Sequence, residues 1–110
     1  MSESVDVNLN NAAVYHNEEE HRFELYIEGL RALLTYRLSP NRIVLLHTEV
    51  PEPLEARGLA AKLTRFVLDF AREKRLQVVP LCPYASSFLR KHTEYQDLVS
   101  AEDLQKLLSR

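Results

Sequence analysis

The feature that most constrains this chain is a change of hydrophobic period at Pro51 and Pro53. Before them, Arg42-Ile43-Val44-Leu45-Leu46-His47-Thr48-Glu49-Val50 reads as a strand, apolar on both faces near its start and therefore central in a sheet. Proline lacks the N–H that a ladder needs, so the strand ends there. After them, Leu59, Leu63, Phe66, Val67 and Phe70 recur at helical spacing, while Lys62, Arg65, Asp69, Arg72 and Glu73 fall elsewhere on the helix. Leu76 to Leu81 then predicts another buried strand, despite Pro80. Strand, helix and strand in that order imply a right-handed crossover, which sets the two strands parallel or nearly so.

Upstream, Ala13, Val14 and Tyr15 form a short apolar run that suits a first strand. Phe23, Leu25 and Ile27 alternate with Glu24, Tyr26 and Glu28, and a second alternating run holds Leu30, Ala32, Leu34 and Tyr36. The leucine content would also suit one helix across Phe23 to Tyr36. Strict alternation and the glycine in mid-run favour a hairpin turning at Glu28-Gly29. Ser39-Pro40-Asn41 signals the next turn. Pro83 opens a short helix through Ser87, Phe88, Leu89 and Lys91, and Ser100 caps a last helix, Ala101 to Leu108, with Asp103 at its third position. The prediction is an α+β, or mixed α/β, fold. It has four mostly antiparallel strands, a long helix after the fourth strand, a fifth strand and one or two short C-terminal helices. Residues 1–10 read as a flexible tail and 11–110 as one domain.

Composition narrows the function classes. A chain of 110 residues, 45% apolar and 27% charged, is globular with one core. A net charge of −2 argues against nucleic acid as the principal ligand, since phosphate backbones need a dense basic face. No apolar run approaches the ~20 residues of a bilayer span. The acidic, polar start lacks the features of a secretion or transit signal, so the expected location is the cytoplasm, with passive nuclear entry open. The lone Cys82 excludes an internal disulfide and fits a reducing compartment.

Glu55-Ala56-Arg57-Gly58-Leu59-Ala60 lies between the central strand and the strongest helix. The first turn of a helix carries free N–H groups and partial positive charge, so it can hold an anion through backbone donors alone. Gly58 lets a phosphate approach the backbone, Ala60 keeps the next turn slim, and Arg57 can add a charge-assisted contact. Equally, Gly58 simply loosens a helix start and Arg57 is solvated; spacing alone leaves both readings standing.

From His47 to Leu63, HTEVPEPLEARGLAAKL resembles the central strand and acyl-CoA pyrophosphate loop of the GNAT superfamily. That loop reads Gln or Arg, two residues, Gly, one residue, then Gly or Ala. More narrowly, the chain is similar to the small single-domain GNAT-like proteins, in which a HTEVP-like strand end is followed by a Cys-Pro-Tyr-like and a His-Pro-Glu-Tyr-like segment. Here these are Cys82-Pro83-Tyr84 and His92-Thr93-Glu94-Tyr95. Glu55 departs from the first loop position and Thr93 from the usual proline. The resemblance implies a sheet splayed between two central strands, with the pantetheine arm of acetyl-CoA between them, bonded by the strand edge at Thr48, Glu49 and Val50. It also implies an N-acetyltransferase acting on an unidentified amine acceptor, small molecule or protein.

In many GNAT enzymes a tyrosine protonates the departing thiolate, and here Leu89 takes that position, leaving Tyr84, one turn earlier, as a substitute. The start of a helix is a setting that stabilises a thiolate, and Cys82 is placed there. The narrower group carries a cysteine and a histidine at the positions of Cys82 and His47. A pair from neighbouring strand ends would act as nucleophile and base through an acetyl-cysteine intermediate. Against this, a lone cysteine among apolar residues is commonly a small buried hydrophobe, and His47, sharing a face with Ile43 and Leu45, fits a core histidine. Glu49 is an alternative base. Lys91 and Arg90 are candidates for the nucleotide phosphates, and Phe88 for the pantetheine arm or the core. His16, His21 and His92 show no metal-ligand spacing with Cys82, so no metal is expected. Two other functions stay open: an acyl-CoA-binding or regulatory module with little turnover, and an interaction domain using the acidic run Glu18-Glu19-Glu20.

Overall fold

The computed structural model describes residues 13–109, so the predicted tail lies outside the described residues. Five strands form one sheet in the order β1-β2-β3-β4-β5, with β1 Val14–Asn17, β2 Arg22–Ile27, β3 Leu30–Ser39, β4 Arg42–Glu49 and β5 Gln77–Pro80. The first four are antiparallel neighbours; β5 lies parallel to β4. The long helix α1 spans Leu59–Lys74, followed by α2 Pro83–Lys91 and α3 Ala101–Leu108.

Local chemistry explains these elements. Glu28 and Gly29 both have positive φ, 54° and 79°, the turn whose twist matches a two-residue hairpin. The acidic run turns β1 into β2, with Asn17 Oδ1 accepting from the Glu20 N–H at 3.1 Å. Pro51 to Arg57 do not begin α1 directly: a 3₁₀ turn over Glu52–Arg57 buries Leu54, and Gly58 at φ 79° redirects the chain into α1. The segment between the prolines and α1 is therefore an element of its own, divided from the helix by a left-handed residue. Ser100 caps α3 by accepting from the Asp103 N–H at 3.1 Å. A second 3₁₀ turn, Thr93–Leu98, had no periodic signal. It is held onto α1 by Arg72, which donates to Asp97 at 2.8 Å and to the Glu94 carbonyl at 3.0 Å.

The main core lies on one face of the sheet. Leu59, Leu63, Val67, Leu68 and Ala71 of α1 are fully buried against Phe23, Leu25, Leu34, Ile43, Leu45 and Val78. These apolar strand residues alternate toward α1, and α1 presents one apolar stripe back, so burial of both removes water from a single shared core. At its β1 end the core is aromatic: His16 stacks on Phe23 at 4.1 Å and meets Phe70 edge-on at 5.0 Å. No helix among the described residues is long and apolar enough to cross a membrane.

Candidate functional site

The site begins where β4 and β5 part. They pair from Arg42↔Gln77 to Leu45↔Pro80 and no further. The Leu45 carbonyl accepts from both Leu81 N–H at 3.0 Å and Cys82 N–H at 2.9 Å, and β5 then turns away into α2. Beyond Leu46, the remainder of β4, His47 to Glu49, stays paired to β3 alone, leaving a gap on its other side. Parallel strands that part this way expose backbone donors and acceptors to whatever enters between them.

A β-bulge decides which side chains enter the gap. Tyr36 pairs with Leu45 but Thr35 pairs with His47, so Leu46 has no counterpart on β3 and the face alternation shifts by one residue. Leu45 and Thr48, opposite Tyr36 and Leu34, both face α1; His47 and Glu49, opposite Thr35 and Leu33, face the other way. The expected pairing of His47 with Cys82 is therefore not assembled, and His47 does not share a face with Ile43 and Leu45. Simple alternation from Leu45 would have put His47 beside Cys82, and the extra residue reversed it. Thr48 stands there instead, its Oγ1 at 3.1 Å from the Cys82 Sγ, which is 2% exposed. His47 and Glu49 are largely solvent-facing, with Nε2 and Oε2 3.8 Å apart.

The gap opens into a cleft of about 240 Å³ lined by Thr48, Val50, Glu55, Ala60 and Tyr84. At its mouth α1 starts at Gly58, and no side chain caps that turn. A Cβ built on Gly58 would meet nothing within 4 Å, so the space before these amides is open. Leu59 is buried and Ala56 exposed, so Leu59 has only its backbone to offer an anion there. Arg57 is drawn aside by Glu28 at the β2–β3 hairpin, 3.2 Å away. An uncapped helix start, a slim first turn and an unpaired strand edge fit a diphosphate and the amides of a pantetheine arm. The Glu55 carboxylate at the lining does not assist phosphate.

A second hollow of about 150 Å³ adjoins the first, since Tyr84 lines both; it lies between α1 and α2, with Arg65, Ser87, Phe88, Lys91 and His92. Phe88 is 4% exposed, belongs to the core, and stacks on His92 at 3.8 Å, with Arg65 over its ring at 5.3 Å. Burial raises the Tyr84 phenol above its ordinary range, against the opposing pull of Arg65, so it keeps its proton at neutral pH. Leu89, which takes the position of the tyrosine that the resemblance implies, is fully buried in the core.

Sequence reasoning missed the meeting of Arg65 with His92, which lie on different elements and come together only in the folded chain, their side chains 3.4 Å apart. It also missed Glu24, 2% exposed on the face away from α1. Burial alone would raise this carboxyl, but hydrogen bonds from Arg22, Asn17 and Tyr26 outweigh it and hold it below the usual range. Among the described residues no cluster of His, Cys, Asp and Glu could hold a metal ion.

Comparison with known proteins adds three findings. The sequence profile of a family described as GCN5-related N-acetyl-transferase matches residues 22–98. Protein NATD1 of Bos taurus is 35% identical over 82 residues, covering 72% of this chain and 73% of that protein; Protein NATD1 of Danio rerio is 30% identical over 91 residues, covering 78% and 83%. The NMR solution structure of a GCN5-like candidate N-acetyltransferase from Staphylococcus aureus superposes with a TM-score of 0.66 at 31% identity, covering 82% of this chain and 89% of that one.

Proposed function

The chain belongs to the GCN5-related N-acetyltransferase family, and on that premise we propose that it transfers an acetyl group from acetyl-CoA to an amine. The observation that carries the reading is the parting of β4 from β5 beyond Leu45, beside an uncapped start of α1. The coenzyme's diphosphate sits on the first-turn amides of α1, approached through Gly58 and Ala60. Thr48, Glu49 and Val50 offer their strand edge to the pantetheine arm. Arg65 and Lys91 lie where its nucleotide leaves along α2.

The two faces of the sheet divide the chemistry. An aliphatic amine is protonated at neutral pH, with a pKa of ~10, and must lose that proton to attack. His47 and Glu49, side by side on the face away from α1, take the proton as the amine approaches from that side. Tyr84, protonated and lining the cleft on the other face, hands a proton to the departing thiolate. Cys82 at the apex supports a two-step variant. Its thiol attacks the thioester carbon and gives up its proton to the departing sulfur, so the coenzyme leaves as the free thiol. The amine then attacks the S-acetyl cysteine, its proton passing to the cysteine sulfur and restoring the thiol. Thr48 holds the Sγ in place for that attack.

A second reading, a coenzyme-binding module with little turnover, is favoured by one observation: Leu89 is buried where a catalytic tyrosine is expected. Intact-protein mass spectrometry after incubation with acetyl-CoA, joined with calorimetry, separates the readings. A single acetyl adduct lost in Cys82→Ser supports the covalent route. Acetylated amine without adduct supports direct attack, binding with neither supports the module, and no binding removes all three.

A further inference from the structure

A further hollow lies apart from the cleft at the start of α1. It measures about 270 Å³ and lies where the end of β5 meets α2 and α3, lined by Arg90, Lys106, Asp103 and Ser86 together with the apolar Val79 and Leu81. Its position follows from the register. Val78 and Pro80 pair with Ile43 and Leu45 and share the side of α1; Val79, opposite Val44, faces the other way, as His47 and Glu49 do. The hollow thus adjoins the face bearing the candidate bases, and its edge at Leu81 is one residue from Cys82.

Its charges are unspent. Among the described residues neither Arg90, Lys106 nor Asp103 forms a side-chain hydrogen bond or ion pair, although all three line the same space. Ser86 donates its hydroxyl proton to the Pro80 carbonyl at 2.9 Å, so toward a ligand it can only accept. Two cationic side chains against one carboxylate leave a surplus of positive charge, which attracts a singly charged anion and repels a polycation. Arg90 lies in the last turn of α2 and Lys106 in the last turn of α3, so two separate helices converge on this space.

We propose that this hollow binds the carboxylate of the acceptor, so that the amine acetylated belongs to a small molecule bearing a carboxylate. This rests on the acetyltransferase reading for the reaction, but the binding it predicts is measurable without turnover. Arg90 and Lys106 hold the carboxylate, the apolar side chains of Val79 and Leu81 flank the carbon chain, and the amine reaches toward His47 and Glu49 at the parting of the strands.

The test uses two ligands of equal chain length, 4-aminobutyrate and putrescine, titrated into the ¹⁵N-labelled full chain. 4-Aminobutyrate is expected to shift the amides of Ser86, Arg90 and Lys106 saturably, and putrescine to leave them in place. In R90Q/K106Q the affinity for 4-aminobutyrate is expected to drop about tenfold or more, with R90K retaining most of it. Coenzyme A, titrated as a control, should still shift the first turn of α1 in the double variant, which also reports that the variant folds. Equal shifts with putrescine, shifts elsewhere, or an unaltered response in R90Q/K106Q would overturn the proposal. O-Phosphoethanolamine binding more tightly than 4-aminobutyrate would overturn the choice of carboxylate. If coenzyme A does not bind the unaltered protein, the acetyltransferase reading fails, whereas loss of the 4-aminobutyrate response alone sinks only this inference.

Discussion

Two halves of one strand behave differently in this protein. Arg42 to Leu45 is flanked by β3 and β5, and its Ile43 and Leu45 are fully buried beneath α1. Leu46 to Glu49, continuing the same strand, has a neighbour on one side only and alternates out of step with the first half. The first half is shape-constrained and contributes stability; the second leaves backbone groups unpaired and side chains half-exposed, which costs stability and creates a binding edge. The dividing line is the Leu45 carbonyl, which accepts from Leu81 and Cys82, the two residues that link β5 to α2.

The contrast can be broken by substitution. Leu45→Ala in the first half should cost about 2–5 kcal/mol of unfolding free energy, measured by urea titration, because it opens a cavity in a closed core. An equally small loss there as on the surface would mean the first half is not the anchor. In the second half, His47→Ala should leave unfolding within about 0.5 kcal/mol, since the side chain is mostly solvated. Acetyl transfer should nevertheless fall about 100-fold or more, as expected for loss of a general base. If Glu49→Gln reduces the rate while His47→Ala does not, the carboxylate is the base.

Gly58→Ala tests the mouth of the cleft. A side chain at φ 79° costs about 1–2 kcal/mol of backbone strain, although the added methyl meets no protein atom. Coenzyme affinity should fall beyond what this destabilisation explains, because the methyl occupies the space before the free amides. Unchanged affinity by calorimetry would place the diphosphate elsewhere.

The smallest effect is a pH dependence located away from both halves. Burial lowers the His16 pKa in the fold, against the pull of Glu18, so the unfolded chain takes up a proton at higher pH than the folded one. Stability is then fully present above the ordinary histidine value of about 6.5 and declines as pH falls below it. Glu24, whose carboxyl is depressed, adds a separate loss at lower pH, below the ordinary carboxylate range. Urea midpoints measured from pH 7.5 to 5 should fall in the unaltered chain and fall less in His16→Gln. Parallel slopes would remove His16 as the cause.

Much of this fold was legible in the residues themselves. Alternation gave β2 and β3, Gly29 their turn, and the stripe from Leu59 to Phe70 gave α1, because burial of periodic apolar side chains is a local property of the chain. Gly58 marked the residue at which α1 begins. The Thr93–Leu98 turn left no trace, since it is secured by Arg72 from a distant helix.

What the sequence determined alone was the set of strands and α-helices, their order, and the parallel approach of β4 and β5. Only the tertiary structure decided which side chains meet at their parting. A single unpaired residue, Leu46, exchanges His47 for Thr48 beside Cys82, and a bulge forms only in response to the strand across from it. Periodicity is written in one segment, whereas register depends on two. The same limit hid the Arg90, Lys106 and Asp103 hollow, whose walls come from helices that touch only after the chain has folded.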